Sequence, residues 1–324
     1  MLSVDVYVYV CVDGGRCWHD RRVHTAEDRY DALTDEVAAL YELGRQADAL
    51  ALMDATAAEL GDQLTPWAAE LAHLRACLLG SLGNAEAALE VLVRASDAGG
   101  WWEESILTED DDLAGLRTLP GFDALVANSR ARRTPGITPP LIRLPPDGRT
   151  VVRVVVALHG AGQTARHAAR DWASVLDLGC ALVCVESSQL MSPRYRTWPD
   201  PAAAADDIAR ALAELPAELD GLPLVAAGFS AGGRVAISWA LTATPQPVAG
   251  VIALAPALRE LPTEAATSLA PASVLIGTDD DLLEVVLEAA DQLEGFGLRI
   301  TTLPGQGHQV PSDFADLLAQ TLGT

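Results

Sequence analysis

A chain of 324 residues has room for two domains, each with its own core. Half of its residues are apolar, yet no run is long and charge-free enough to span a bilayer. A formal net charge of −23 argues against nucleic acid or an anionic membrane surface as partner.

All 22 basic residues are Arg, and Ala is abundant, which points to GC-rich coding rather than to a function; salt adaptation is the lesser reading of the same acidity. The five cysteines, at 11, 17, 77, 180 and 184, are odd in number and scattered, with no ligand-like Cys/His spacing. Reduced thiols in a cytoplasm are therefore expected, and no metal centre. The N-terminus lacks a basic region followed by an apolar segment, so no secretory signal is expected.

In residues 1–30, Val4, Val6, Val8, Val10 and Val12 alternate with Asp5, Tyr7, Tyr9 and Cys11, a strand pattern without a nearby partner. Gly14-Gly15 and an Arg-rich stretch follow. This part reads as a poorly ordered extension, or as a start placed too far upstream; a metal site from His19 and His24 is disfavoured.

Residues 31–128 turn Ala/Leu-rich with helical spacing from about Thr34. Leu43-Gly44-Arg45-Gln46-Ala47-Asp48-Ala49-Leu50 and Leu82-Gly83-Asn84-Ala85-Glu86-Ala87-Ala88-Leu89 resemble each other at an offset of 39. Each is a helix end at Leu-Gly, a short turn and a new helix, with Gly suited to a left-handed cap. The region resembles about two tetratricopeptide-type repeats, and Gly99-Gly100-Trp101-Trp102 with Asp112 to Leu125 resembles the stretch that closes such arrays. A generic helical bundle is the alternative. Trp67, after Pro66, is expected in the core. Such a domain would dock a peptide, self-associate or cover a neighbouring site. Residues 129–146 hold five prolines and Arg130, Arg132 and Arg133, and read as a surface linker.

From 147 to 324 short β-branched runs alternate with helical segments. Val151–Leu158, Ala181–Val185, Leu224–Ala227, Val248–Leu254, Val274–Gly277 and Leu298–Leu303 predict a mostly parallel, doubly wound α/β sheet preceded by the small all-α domain. Loops at the strand ends of such a sheet carry the site.

The strand Leu224–Ala227 runs into Gly228-Phe229-Ser230-Ala231-Gly232 and then a helix. That pattern swings a serine out on a sharp turn which tolerates only small neighbours, with the helix N-terminus behind it. Ser230 is the candidate nucleophile and needs a base. His308, in Pro304-Gly305-Gln306-Gly307-His308-Gln309 between the last strand and a closing helix near Ser312, is the candidate; His167 is expected on the surface. The acid that holds the imidazole is expected in Asp279-Asp280-Asp281, after a strand. Asp280 is preferred, Asp279 is the alternate, and Asp281 is expected to cap the helix from Leu282. After the first strand, His159-Gly160-Ala161-Gly162-Gln163 should supply one oxyanion amide from Ala161, with Gly162 behind it, and Ala231 the other. His159 is expected to orient that loop. Trp198 and Tyr195, in the loop 186–200, either wall the substrate mouth or only pack the loop; with His159 and Phe229 they are the candidate substrate-binding residues.

On His159-Gly160-x-Gly162, Gly228-x-Ser230-x-Gly232-Gly233, Gly277-x-x-Asp280 and Gly307-His308, residues 150–320 resemble an α/β-hydrolase-fold serine esterase of the phospholipase/carboxylesterase group. The order Ser230, Asp280, His308 is that of α/β-hydrolases. The resemblance implies hydrolysis of a small carboxylic ester or thioester through an acyl-enzyme, without metal or organic cofactor. The segment Pro256 to Pro271 is too short for a large lid. Rival readings are a weakly catalytic scaffold that binds a protein through the helical part, a peptidase, and acyl transfer to an acceptor other than water.

Overall fold

The structure, a computed structural model, describes residues 25–133, 136–262 and 269–323. The alternating valines, Cys11, Cys17, His19 and His24 lie outside the described residues, as does the middle of the segment Pro256–Pro271. The chain divides into two compact units between Arg132 and Arg133. Among the described residues no helix is long and apolar enough to cross a membrane.

The first unit holds α1 (Ala26–Glu42), α2 (Gln46–Leu60), α3 (Ala68–Ser81), α4 (Ala85–Asp97), α5 (Glu104–Thr108) and α6 (Phe122–Arg132). Helix α1 begins inside the expected extension. The Thr25 hydroxyl accepts the Asp28 N–H at 3.1 Å and the Asp28 carboxylate accepts the Thr25 N–H at 2.8 Å, a reciprocal cap readable as Thr-x-x-Asp. Tyr30 stacks on buried Trp67, with ring centroids 5.0 Å apart.

The two Leu-Gly segments make matching turns. Gly44 N–H donates to Tyr41 O at 2.9 Å and Arg45 N–H to Leu40 O at 2.8 Å; 39 residues on, Gly83 N–H donates to Gly80 O at 2.8 Å and Asn84 N–H to Leu79 O at 2.9 Å. Gly44 and Gly83 have φ of 70° and 78°, the left-handed region where a Cβ is costly. Helix α6 runs into the expected linker, and the Arg132 guanidinium donates to Ser96 Oγ at 2.9 Å and Gly100 O at 3.2 Å. The basic cluster is thus partly spent on fastening α6 to its own unit.

The second unit is a seven-stranded sheet of β1 (Leu141–Arg143), β2 (Arg153–Leu158), β3 (Cys180–Val185), β4 (Leu224–Phe229), β5 (Gly250–Leu254), β6 (Ala272–Gly277) and β7 (Arg299–Leu303). Its order is β1-β3-β2-β4-β5-β6-β7, all neighbours parallel except β1 with β3. Strand β1 also lies in the expected linker: Pro139-Pro140 and Pro145-Pro146 bracket three residues that pair only with β3, and an edge position tolerates such prolines. Among the described residues its α-helices are α7 (Ala165–Asp171), α8 (Pro201–Ala213), α9 (Ala231–Thr242), α10 (Leu283–Glu288), α11 (Ala290–Gly295) and α12 (Phe314–Leu322). Strands β3, β4 and β5 are buried along their whole length, as a parallel sheet with both faces covered requires.

From β2 the chain steps outward to β3 on one side, and from β4 to β5, β6 and β7 on the other. The carboxyl ends of β2 and β4 therefore flank a switch point, with Leu158 in register with Gly228.

Candidate active site

Ser230 sits between β4 and α9 at φ 51° and ψ −118°, a strained conformation for a residue with a Cβ. Its N–H donates to Leu254 O at 3.0 Å, and its carbonyl accepts from Ala257 N–H and Arg234 N–H at 3.1 Å each. The flanking glycines are required by close approach. A Cβ on Gly228 would stand 2.3 Å from Gly232 O, and one on Gly232 would stand 2.2 Å from Leu158 O.

His308 follows β7 and reaches back over the elbow. Its Nε2 is 3.0 Å from Ser230 Oγ, while Nδ1 is 3.0 and 3.1 Å from the two oxygens of Asp280. A carboxylate accepts only, so this network assigns the proton to Nδ1 and leaves the Nε2 lone pair facing the hydroxyl. The Asp280 side chain is fully buried, and its Oδ1 also accepts the Leu282 N–H at 2.9 Å. Asp279 is exposed and accepts the Thr278 hydroxyl at 3.0 Å. Asp281 does not cap the following helix as expected, because Asp280 takes that N–H; its own side chain is 75% exposed. Gly277 allows these loops to meet, since a Cβ there would stand 1.9 Å from Gln306 O. Phe229 packs a tilted ring on His308, with centroids 4.9 Å apart.

Ala161 is exposed, and its N–H has no acceptor among the described residues. Ala231 is the first residue of α9, so its N–H lies outside the helix's own ladder. Gly162 does not back them up: its N–H donates to Arg196 O at 2.8 Å. The half-buried Tyr195 ring lies against Gly162, where a Cβ would be 3.0 Å from it.

Two of the candidate substrate-binding residues are internal braces, His159 in the loop-orienting place expected of it and Trp198 in the packing alternative. His159 is 1% exposed; its Nδ1–H donates to Gly160 O at 2.8 Å and its Nε2 accepts the Ser187 N–H at 3.2 Å. Burial, with the Arg196 charge adding to it, pushes this imidazole down to about 4, so it is neutral at pH 7. Trp198 is fully buried, tilts against His159 and donates its indole N–H to His159 O at 2.9 Å. An aromatic in a loop reads from sequence as a wall or as packing; here the strand end beneath it supplies a carbonyl that claims it. His167 is likewise buried, because its Nδ1 accepts the Thr164 N–H at 3.1 Å and caps α7.

A third brace was not anticipated. Arg196 pairs with Glu186 at 3.1 Å, donates to Gly136 O at 2.8 Å, and offers its own carbonyl to Gly162. The opposite charges of Glu186 and Arg196 in one loop after a strand were the available signal.

Among the described residues two groups could hold a metal ion. One is Asp280, Asp281 and His308, already engaged with Ser230; the other is His73, Cys77 and Asp110 in the helical unit. The expectation of no ligand-like spacing overlooked His73 and Cys77, four apart on α3.

Residues 29–136 match a family model described as the N-terminal domain of A/B hydrolase-like proteins, and residues 149–278 match one described as serine aminopeptidase, S33. The second match spans β2 to β6 and includes Ser230; neither description names a helical repeat. No curated protein matches the chain. Among solved structures it is similar to an uncharacterised protein from Bacillus cereus, at 23% identity over 90% of this chain and 96% of that one, with a TM-score of 0.47. It is also similar to a Bacillus cereus carboxylesterase, at 20% identity over 57% and 92% with a TM-score of 0.46, and to acyl-protein thioesterase 2 from Zea mays, at 18% identity over 57% and 97% with a TM-score of 0.42. The chain carries an α/β-hydrolase fold on a mostly parallel sheet, preceded by a helical N-terminal region.

Proposed function

We propose that the protein is a serine hydrolase that cleaves a small carboxylic ester or thioester through an acyl-enzyme. The observation that carries this reading is His308 bridging Ser230 at 3.0 Å through Nε2 and Asp280 at 3.0 Å through Nδ1. Ser230 Oγ attacks the acyl carbon while His308 Nε2 takes its proton, and the buried Asp280 carboxylate steadies the imidazolium. The N–H groups of Ala161 and Ala231 donate to the oxyanion; losing one such donor typically costs about 3 kcal/mol of barrier. Collapse of the tetrahedral species breaks the bond to the alcohol or thiol, which leaves with the proton from His308. Water then repeats the sequence on the acyl-enzyme and frees Ser230.

This relay calls on no cofactor or metal. The exposure of Ala161 and of a third of the His308 side chain supports an open mouth and a small-molecule substrate. Its place is a cytoplasm, and the helical domain is the part through which a protein partner or a second copy would bind. A second reading, cleavage of an aminoacyl amide bond, is favoured by the aminopeptidase description of the family matched over 149–278.

The test is a panel of p-nitrophenyl acetate, an acyl thioester and an aminoacyl p-nitroanilide on the purified full chain and on Ser230→Ala. Ester and thioester turnover that falls by about 10^4-fold or more in the variant is expected. Faster anilide than ester turnover selects the amide reading, and turnover untouched by Ser230→Ala contradicts both.

A further inference from the structure

We propose that His73, Cys77 and Asp110 form a binding site for one divalent cation of the Zn2+ class, with a fourth position open to solvent. Helix α3 sets His73 and Cys77 one turn apart on the same face. Asp110 comes from the turn after α5, where its Oδ1 is fixed by the Asp112 N–H at 3.0 Å and its Oδ2 faces the other two.

The three ligand atoms form a triangle. Cys77 Sγ is 3.6 Å from His73 Nε2 and 3.4 Å from Asp110 Oδ2, and the imidazole nitrogen is 3.7 Å from that oxygen. A tetrahedral Zn2+ with its usual bond lengths needs edges of about 3.6 Å for S···N, about 3.5 Å for S···O and about 3.3 Å for N···O. Two edges already match. The N···O edge is too long for a direct hydrogen bond, so mutual hydrogen bonding does not account for all three.

The surroundings suit a cation. Asp112, whose N–H holds Asp110 Oδ1, is itself steadied by a 2.8 Å hydrogen bond from the Tyr41 hydroxyl. The Cys77 side is buried, whereas the His73 and Asp110 side chains are 23% and 30% exposed, which leaves a way in. One sulfur, one nitrogen and one oxygen select Zn2+ over Ca2+ or Mg2+. On binding, the Cys77 thiol gives its proton to solvent as the metal–sulfur bond forms, while His73 Nε2 and an Asp110 carboxylate oxygen donate lone pairs.

The experiment is titration of the chelator-treated, reduced full chain with Co2+ and displacement by Zn2+. One equivalent of Co2+ should bring a thiolate-to-cobalt charge-transfer band and intense tetrahedral visible absorption, both erased by one equivalent of Zn2+. Zn2+ should also raise the melting temperature. The band and the melting shift should be lost in Cys77→Ser and kept in Cys11→Ser/Cys17→Ser, which controls for the first residues of the chain. If circular dichroism shows Cys77→Ser unfolded, His73→Gln and Asp110→Asn carry the test, each weakening Co2+ at least about tenfold. Absence of stoichiometric binding overturns the proposal, as does a band that survives Cys77→Ser or is lost with Cys11 and Cys17.

Discussion

Ser230, His308 and Asp280 come from three loops at one rim of the sheet, whereas His73, Cys77 and Asp110 come from one helix and a turn of the helical unit. Both clusters combine an imidazole, a carboxylate and a hydroxyl or thiol. In the first the imidazole stands between its partners, one nitrogen on each, and the three groups form a line. In the second the same nitrogen faces both sulfur and carboxylate, and the sulfur also touches the carboxylate. A line can pass a proton; a triangle can enclose a cation. Electrostatics reinforce the contrast, because burial and the neighbouring Asp110 hold the Cys77 thiol well above its ordinary range, so it is no nucleophile at neutral pH without a metal. His159 is a third use of imidazole: buried and neutral, it ties the loop after β2 to Ser187.

The sharpest way to break the linear reading is to change its acid. Asp280→Asn cannot hold the Nδ1 proton in place, and ester turnover should fall on the order of 10^3- to 10^4-fold. Asp279→Asn, at an exposed side chain that accepts the Thr278 hydroxyl, should stay within about threefold. The reverse order in steady-state kinetics would assign the acid to the wrong residue.

The next effect concerns the backbone approach that makes the line possible. In Gly232→Ala the new Cβ would fall 2.2 Å from Leu158 O and 2.5 Å from His159 O, both main-chain atoms with little freedom to retreat. A loss of about 3 kcal/mol in urea unfolding is expected, with a fall in turnover as the Ala161 loop is pushed away. Unchanged stability would mean that β2 and α9 are further apart than described.

The smallest effect is a pH dependence at His159. Its folded value of about 4 lies below the ordinary 6.5, so between these values the unfolded chain binds a proton that the folded chain refuses. Its contribution is complete above about pH 6.5 and is lost as the pH falls to about 4, roughly 3 kcal/mol in all. The stability gap between the wild type and His159→Gln should therefore narrow from pH 7.5 to pH 4.5. A gap that stays constant would place a charged imidazole in that loop.

How much of this was readable in the sequence depends on how local the cause is. Gly228 and Gly232 are glycines because main-chain atoms crowd them, and the spacing Gly-x-Ser-x-Gly records that crowding directly. The alternating strands and helices fixed the sheet class, since β3, β4 and β5 are continuous apolar runs. A triplet of aspartates could not reveal its own register. The choice rests on contacts 27 and 28 residues away, Gln306 O accepting the Asp279 N–H and His308 meeting Asp280. Strand β1 was hidden because three residues between proline pairs carry no period, and its partner lies about 40 residues downstream. The Thr25 cap was legible and overlooked. In the triangle, the His73–Cys77 spacing is visible in the sequence, but Asp110 is 33 residues beyond Cys77 and only the packing of α3 against that turn unites them.

The most direct measurement is active-site labelling followed by mass spectrometry of the intact chain and its peptides. With a fluorophosphonate probe, a single phosphonyl adduct is expected on Ser230, formed rapidly in the wild type, far more slowly in His308→Ala and not at all in Ser230→Ala. An adduct on another residue, or one that forms equally fast without His308, would contradict it.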